Sequence, residues 1–365
     1  MEKIRTAVIG CGKVADAHAH SYQNIENAQL TAVCDVDEKR ARAFAEKYGV
    51  RAYTSISEMI QKEKIQVASV CVPHPFHAKT CVEAADCGCH VIVEKPFSVS
   101  RKDSLEMIAA GKRNHVWIGT VFQRRFYEPC RRIRKAIDDG KLGNIVLGDV
   151  TMLGWRDEVY YDSDPWRGTW KGEGGGVLPT QACHQLDLLL WFMGSELTEV
   201  YGVYKNYNHP YIEVEDTAVA ILKFANGAVA TITASNAQDP AQYGKVRVHG
   251  DNGASAGVQT DGGAMFISGM SSITEAPYND LWGVKGEENL LDQWKKEDEE
   301  IFFQNDPTEY YHQLQLQDFV NAVADNRKPL VTGEDGLKSA ELIEAIYRSS
   351  RSGMPVKLPL KEVEA

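Results

Sequence analysis

The chain has 365 residues, 43% of them hydrophobic and 25% charged, with a formal net charge of -11. This is an ordinary globular composition. The acidic excess argues against nucleic acid or an anionic membrane surface as partner. At roughly 150 residues per domain the length predicts two domains, each able to bury its own core. No apolar run approaches the ~20 residues of a membrane helix. MEKIRTAVIG, the N-terminal stretch, shows no signal-peptide pattern, so a cytoplasmic location is expected. None of the eight cysteines forms a C-x-x-C pair. Cys87–His90, CGCH, lacks the second ligand pair of a zinc site, so reduced cysteines and no metal are expected. The basic runs QRRF and CRRIRK, within 123–135, read as solvated helix faces.

In chain order, IRTAVIG reads as a strand, CGKVADAHAHSYQNI as a helix and AQLTAVCD as a second strand. EKRARAFAEKYG is helical and ends at Gly49, a left-handed stop. VRAYTS is a short strand. SISEMIQKEK is a helix with a serine cap. VASVCVP is a strand that stops at Pro73, and FHAKTCVEAADCG is a helix. CHVIVEKP is a strand, SRKDSLEMIAAGKRN a helix and VWIGTVF a strand. Strands alternating with helices of this length predict βαβ units and a parallel sheet.

GCGKVA, 10–15, sits directly between the first strand and the first helix and matches G-x-G-x-x-G/A. Gly10 makes the tight turn, and Gly12 admits a pyrophosphate. Lys13 and Val14 open the helix whose N-terminus favours the anion. Asp35 lies about 20 residues on, at the end of the second strand, where a carboxylate accepts ribose hydroxyls and repels a 2′-phosphate. NAD is therefore expected rather than NADP; the competing reading is that Asp35 only starts the next turn. Arg40 lies further along the following helix and is expected to face solvent. Ligands bind beyond the carboxyl ends of strands in such sheets. That places Pro73, His74 and His77 as walls of the nicotinamide site and Glu94 and Lys95 within reach of its ribose or the substrate. His77 is equally suited to capping its own helix.

The second half begins with a helix, CRRIRKAIDDGKLG, and continues with β-rich runs: IVLGDVTMLGW, LTEVYGVYKNY, TAVAILKF, AVATITAS, GKVRVHG and SAGVQTDG. Asn226-Gly227 is a strong hairpin signal between two of them. No long helices separate these strands, so an antiparallel sheet is expected. LLDQWKKEDEEIFF reads as solvated helix or loop. Two helices close the chain, the last ending at Gly353. Between the first two β runs lies GGGVLPTQACHQLDLLLWF, 174–192. At ~100° per residue Leu186, Leu189, Leu190 and Met193 share one side, and Thr180, His184, Asp187 and Trp191 share the other. The three glycines are expected to let backbone approach a ligand. Asp187 is expected to support the His184 imidazole or to cap a neighbouring group.

In that order, GCGKVADAH, VPHPFH, HVIVEKP and EGGGVLPTQACHQLD resemble motifs of the glucose–fructose oxidoreductase/inositol dehydrogenase (Gfo/Idh/MocA) family over nearly the whole chain. The resemblance implies an α/β fold: an N-terminal Rossmann domain, placed at 1–125, and a C-terminal α/β domain, at 126–365. The second carries a large, mostly antiparallel sheet that often serves as an oligomer interface, so a homo-oligomer, dimer or tetramer, is expected. It implies NAD-linked oxidation or reduction of a secondary alcohol on a sugar, glycoside or cyclitol. Lys95 resembles the E-K-P lysine that orients the reacting hydroxyl and the cofactor ribose. His184 matches the histidine that takes the hydroxyl proton. The family often has Asp or Asn four residues before that histidine, where this chain has Thr180. WRGTWKGEGGG and NDLWGVKGEE suggest a branch acting on sugars or glycosides. Gln123, Trp166 and Arg167 are chosen as substrate contacts, since an aromatic face and a guanidinium suit a sugar ring. Two other readings stay open. One is a redox-neutral enzyme that retains NAD through transient oxidation and elimination. The other is a non-catalytic dinucleotide-binding sensor.

Overall fold

A computed structural model describes residues 2–261 and 274–361. The chain forms two compact units, 2–123 with 306–337, and the remainder of the described residues.

The first unit is built on a six-stranded sheet in the order β3-β2-β1-β4-β5-β6. Its strands are β1 (Ile4–Ile9), β2 (Ala28–Cys34), β3 (Arg51–Tyr53), β4 (Val67–Val70), β5 (His90–Val93) and β6 (Ile118–Thr120). Every pair is parallel. The strands β1, β4, β5 and β6 are almost wholly buried, which is why they read as continuous apolar runs. The connecting helices are α1 (Ala15–Asn24), α2 (Glu38–Tyr48), α3 (Ile56–Glu63), α4 (His77–Asp86) and α5 (Arg101–Asn114). Local chemistry sets their ends. Asp37 caps α2 through the Lys39 and Arg40 amides, and Gly49 stops it at φ 66°. Ser55 and Ser100 cap α3 and α5.

One element departs from the expected boundary. The helix α11 (Pro307–Ala324) belongs to the first unit, not the second. Its Leu316, Phe319 and Val320 share a core with Ala15, Ala19 and Tyr22 of α1. An apolar helix face shows in the sequence; the core that receives it does not.

The second unit holds α6 (Glu128–Asp138), α7 (Glu158–Asp162), α8 (Trp170–Glu173), α9 (Cys183–Met193) and α10 (Leu291–Gln304). Most of α12 (Gly333–Ser352) also lies there. Its sheet has eight strands in the order β13-β12-β11-β7-β10-β9-β8-β14. These are β7 (Ile145–Leu153), β8 (Leu197–Lys205), β9 (Thr217–Phe224), β10 (Val229–Ser235), β11 (Tyr243–Gly250), β12 (Ser255–Asp261), β13 (Tyr278–Trp282) and β14 (Val356–Lys357). The β9–β10 hairpin closes at Asn226-Gly227 as expected, with Gly227 at φ 87°. The sheet is mixed, because β7 and β10 pair in parallel. NDLW, read above as a specificity signature, supplies β13. There the Asn279 side-chain Nδ2 donates to Pro129 O and Gly257 O.

One face of this sheet is covered. The space beside Gly148 is filled by Leu189 and Met193 of α9, and that beside Gly202 by Ile346 of α12. The other presents Tyr201, Val203, Val219, Ile221 and Val229 as exposed side chains. No helix among the described residues is long and apolar enough to cross a membrane.

Candidate active site

In the first unit the glycine turn has the expected form. Gly10 lies at φ 91°, and a Cβ there would fall 2.5 Å from Cys71 O, so only glycine fits. A Cβ at Gly12 would meet nothing within 4 Å, leaving open space where a phosphate can approach. Val14 at the start of α1 makes no side-chain cap bond; the Ala15 and Ala17 amides donate to Gly12 O and Val14 O, and the positive end of the helix dipole faces the turn. Asp35 is 7% exposed at the end of β2. It accepts the Cys11 amide on one oxygen and the Asp37 amide on the other, both at 2.9 Å. The carboxylate is thereby locked against the glycine turn, with lone pairs left for ribose hydroxyls. Arg40 is more than half exposed, as expected, yet its guanidinium lies 3.8 Å from Asp35. These residues fit a dinucleotide.

At the next strand ends, Pro73 is exposed and Lys95 half-buried. Two neighbours turn inward, contrary to expectation. The His77 ring is fully buried. Its nitrogens lie 2.8 Å from Pro96 O and 2.9 Å from Val72 O, so it clamps the loops after β4 and β5 together rather than walling a ligand. Glu94, expected at a ribose, is also buried. Its Oε1 lies 2.9 Å from His18 Nε2 and 3.6 Å from His312 Nε2, while Oε2 accepts the Lys95 amide at 3.0 Å. Burial alone would raise this carboxyl, but the hydrogen bond from His18 and the nearby His312 ring outweigh it and hold the pKa well below the ordinary range.

Burial pushes the His18 pKa down, favouring the neutral ring. Neutral His18 donates from Nε2 to Glu94 and accepts at Nδ1 from Ser69 Oγ, 2.8 Å away. Tyr22 Oη lies 2.7 Å from the same Ser69 oxygen. His312 Nδ1 faces Thr308 O at 2.6 Å and must be a donor. The Glu94, His18 and His312 ligating atoms lie within 4.8 Å of one another. The His18–Glu94 spacing is that of a hydrogen bond. Neither histidine stood out in the sequence. The available signal was a polar side chain within the apolar face of a helix.

In the second unit, the stretch after Gly174 winds as a π-helical turn, Leu178–Ala182, and continues as α9. Such turns are common at functional sites. Thr180 is half-buried and His184, one turn on, is 5% exposed. Thr180 Oγ1 lies 2.5 Å from Gly176 O and 2.6 Å from Gln181 Oε1. Its single proton serves one of these acceptors, so toward a further hydroxyl Thr180 acts as acceptor. Asp187 has a partner that the helix pattern does not show. Its carboxylate takes a two-pronged bond from Arg125, at 2.8 and 2.5 Å. Arg125 also stacks 5.1 Å from the Trp191 ring. Arg124 makes a similar fork onto Asp261. Both arginines are buried, which corrects the solvated reading of QRRF. Like-charge neighbours in sequence do not reveal acidic partners 62 and 137 residues away.

The triple glycine also has a different purpose. A Cβ at Gly175 would lie 2.0 Å from the Tyr347 hydroxyl, and one at Gly176 1.8 Å from Glu215 O. Gly175 and Gly176 admit neighbouring protein, and Gly174 ends α8 at φ 78°. Glu215 is 1% exposed. Burial pushes its carboxyl up to about 7, against the pull of the Leu178 amide, Tyr347 and the Gly176 amide.

Of the expected substrate contacts, Gln123 Oε1 is buried without a hydrogen-bond partner among the described residues. Arg167 lies between the Trp166 and Tyr160 rings, 4.7 and 4.3 Å from their centroids. It donates to the Tyr160 hydroxyl at 2.6 Å.

Comparison with known proteins agrees with this geometry. Residues 4–122 match the family described as "Oxidoreductase family, NAD-binding Rossmann fold", and residues 130–256 match the "GFO/IDH/MocA C-terminal domain". A myo-inositol 2-dehydrogenase of Thermotoga maritima is 28% identical over 97% of this chain and 98% of its own. A D-glucoside 3-dehydrogenase of Escherichia coli is 25% identical over 97% of both chains. The WlbA dehydrogenase of Bordetella pertussis, solved with NADH and UDP-GlcNAcA, superposes with a TM-score of 0.85 at 28% identity, over 99% of both chains. Fold and site thus define an NAD-binding oxidoreductase. The chain belongs to the Gfo/Idh/MocA family.

Proposed function

We propose that this protein is an NAD-dependent dehydrogenase acting on a secondary hydroxyl of a sugar, glycoside or cyclitol. The observation that carries the reading is the buried His184 one helical turn after Thr180, in a chain that also bears the Gly10–Gly12 turn locked to Asp35. NAD, when bound, supplies the hydride acceptor. His184 takes the substrate hydroxyl proton on a ring nitrogen; an imidazole titrates near working pH and suits that role. Lys95 orients the same oxygen and stabilises the charge developing on it. Thr180 accepts a hydrogen bond from the substrate, and Gln123, Trp166 and Arg167 contact its ring. The names of the inositol and glucoside relatives, and the nucleotide-sugar acid held by WlbA, support a polyhydroxylated ring as substrate. The exposed cross-strand pairs Tyr201–Ile221 and Val203–Val219 support assembly into a homo-oligomer through the open sheet face.

The test is a panel of myo-inositol, free sugars, glycosides and nucleotide-linked sugar acids with NAD, followed by NADH absorbance. His184→Ala is expected to lose turnover by ~10²-fold or more and to keep NAD affinity. Near-normal rates in that variant refute the base assignment. Substrate consumption without net NADH, with NAD retained through purification, assigns the redox-neutral reaction instead. NAD binding without turnover of any compound assigns the sensor.

A further inference from the structure

We infer that Glu215 is a positioning residue for the Thr180–His184 segment: its carboxylate holds the two peptide units that flank the one on which Thr180 hangs, and its own carbonyl holds that one. The inference rests on the reading of His184 as proton acceptor. Glu215 lies just before β9, and one residue binds three consecutive amides. Its Oε2 accepts the Gly176 N–H at 2.8 Å, its Oε1 the Leu178 N–H at 3.1 Å, and its own carbonyl the Val177 N–H at 3.1 Å. The Tyr347 hydroxyl of α12 donates to Oε1 at 2.8 Å. On its other side, the same Gly176 residue accepts twice from Thr180, from the amide at 3.2 Å and from Oγ1 at 2.5 Å. The path from the carboxylate to Thr180 therefore crosses a single residue.

The local sequence cannot supply this anchor. Val177, at the cap position of the π-helical turn, makes no side-chain cap bond. A helix start needs acceptors for its first amides, and a negative group is favoured there. Glu215 provides both from 37 residues away. The approach is so close that Gly175 and Gly176 admit no side chain. The carboxylate is surrounded by donors: two amide N–H groups and one phenol. Above its raised pKa of about 7 the group is a carboxylate; an amide in its place presents an NH₂ to one of those donors, so above that pH Glu215→Gln breaks the anchor at nearly constant volume.

The experiment compares wild type, Glu215→Gln, Tyr347→Phe and His184→Ala. Hydrogen exchange is followed by mass spectrometry on peptides covering 174–182 and 217–235, with NAD affinity by fluorescence. Turnover is measured with the panel compound that forms NADH fastest. Glu215→Gln is expected to speed exchange in 174–182 by about tenfold while 217–235 and NAD affinity stay unchanged. It is also expected to lower kcat by about 10²-fold, the effect of a small misplacement of the reacting groups. Wild-type exchange in 174–182 overturns the inference. So does faster exchange spread equally over 217–235, which is a general structural role. Where Glu215→Gln fails to fold, Tyr347→Phe removes one donor and is expected to speed 174–182 by about threefold; no change there overturns the inference. His184→Ala separates the two claims. Retained turnover in that variant with loosened 174–182 in Glu215→Gln refutes the proton-acceptor role alone. Lost turnover in His184→Ala with an unaffected Glu215→Gln refutes the anchor alone.

Discussion

Replacing Arg125 by methionine tests the buried ion pair behind α9. The pair is almost fully desolvated, with side-chain exposures of 3% for Arg125 and 2% for Asp187. Its geometry is two-pronged, at 2.8 and 2.5 Å. Methionine fills much of the arginine's volume, so the main loss is not packing. It is the Asp187 carboxylate, left buried without that counter-charge. Breaking a buried pair from one side costs about 3–5 kcal/mol. The contact between the guanidinium and the Trp191 ring, at 5.1 Å, adds up to ~2 kcal/mol when desolvated. For a unit of this size the pair alone corresponds to a fall in Tm of about 6–20 °C. Urea titration at neutral pH, with calorimetry, measures it. The double variant Arg125→Met/Asp187→Leu removes both charges and is expected to recover most of the loss, because an apolar pair is often no worse than a buried salt bridge. The reasoning fails if Arg125→Met costs under about 1 kcal/mol, the range of an exposed pair. It fails equally if the double variant is as unstable as the single one.

Two further predictions use the glycines and Glu94. Gly176→Ala places a Cβ 1.8 Å from Glu215 O and is expected to cost at least about 2 kcal/mol, whereas Gly12→Ala meets open space and folds normally. If a pyrophosphate crosses Gly12, the second variant instead weakens NAD binding at least ~10-fold, and calorimetry on both variants separates the effects. Glu94 has a folded pKa well below its ordinary value. Its contribution is therefore complete above the ordinary carboxylate range of about 4.3 and is lost as pH falls through the lower folded value. The Tm of wild type is expected to fall more steeply than that of Glu94→Gln as pH drops below ~4.5. Parallel curves would show that the carboxylate is not held ionised by His18 and His312.

Much of the first unit could be read locally. The strand–glycine turn–helix opening and the acid at the end of β2 are short-range patterns, and the structure keeps them. The serine caps, the Gly49 stop and the Asn226-Gly227 hairpin are likewise written in neighbouring residues. What the sequence concealed were partners. His77 and Glu94 sit at the strand ends where ligands bind, and nothing local shows that ring and carboxylate both turn inward. Asp187 follows His184 by three residues, and its arginine partner lies 62 residues away in the sequence.

The sequence by itself determined element type, turn chemistry and the order of strands and helices, because period, capping and backbone freedom act over a few residues. Tertiary structure decided which core took α11, that β7 and β10 run parallel, and that the triple glycine seats Glu215 and Tyr347. It also assembled His18, Glu94 and His312 from three distant segments. Such contacts depend on burial and on complementary charge brought together only when the chain closes on itself, and one-dimensional patterns carry neither.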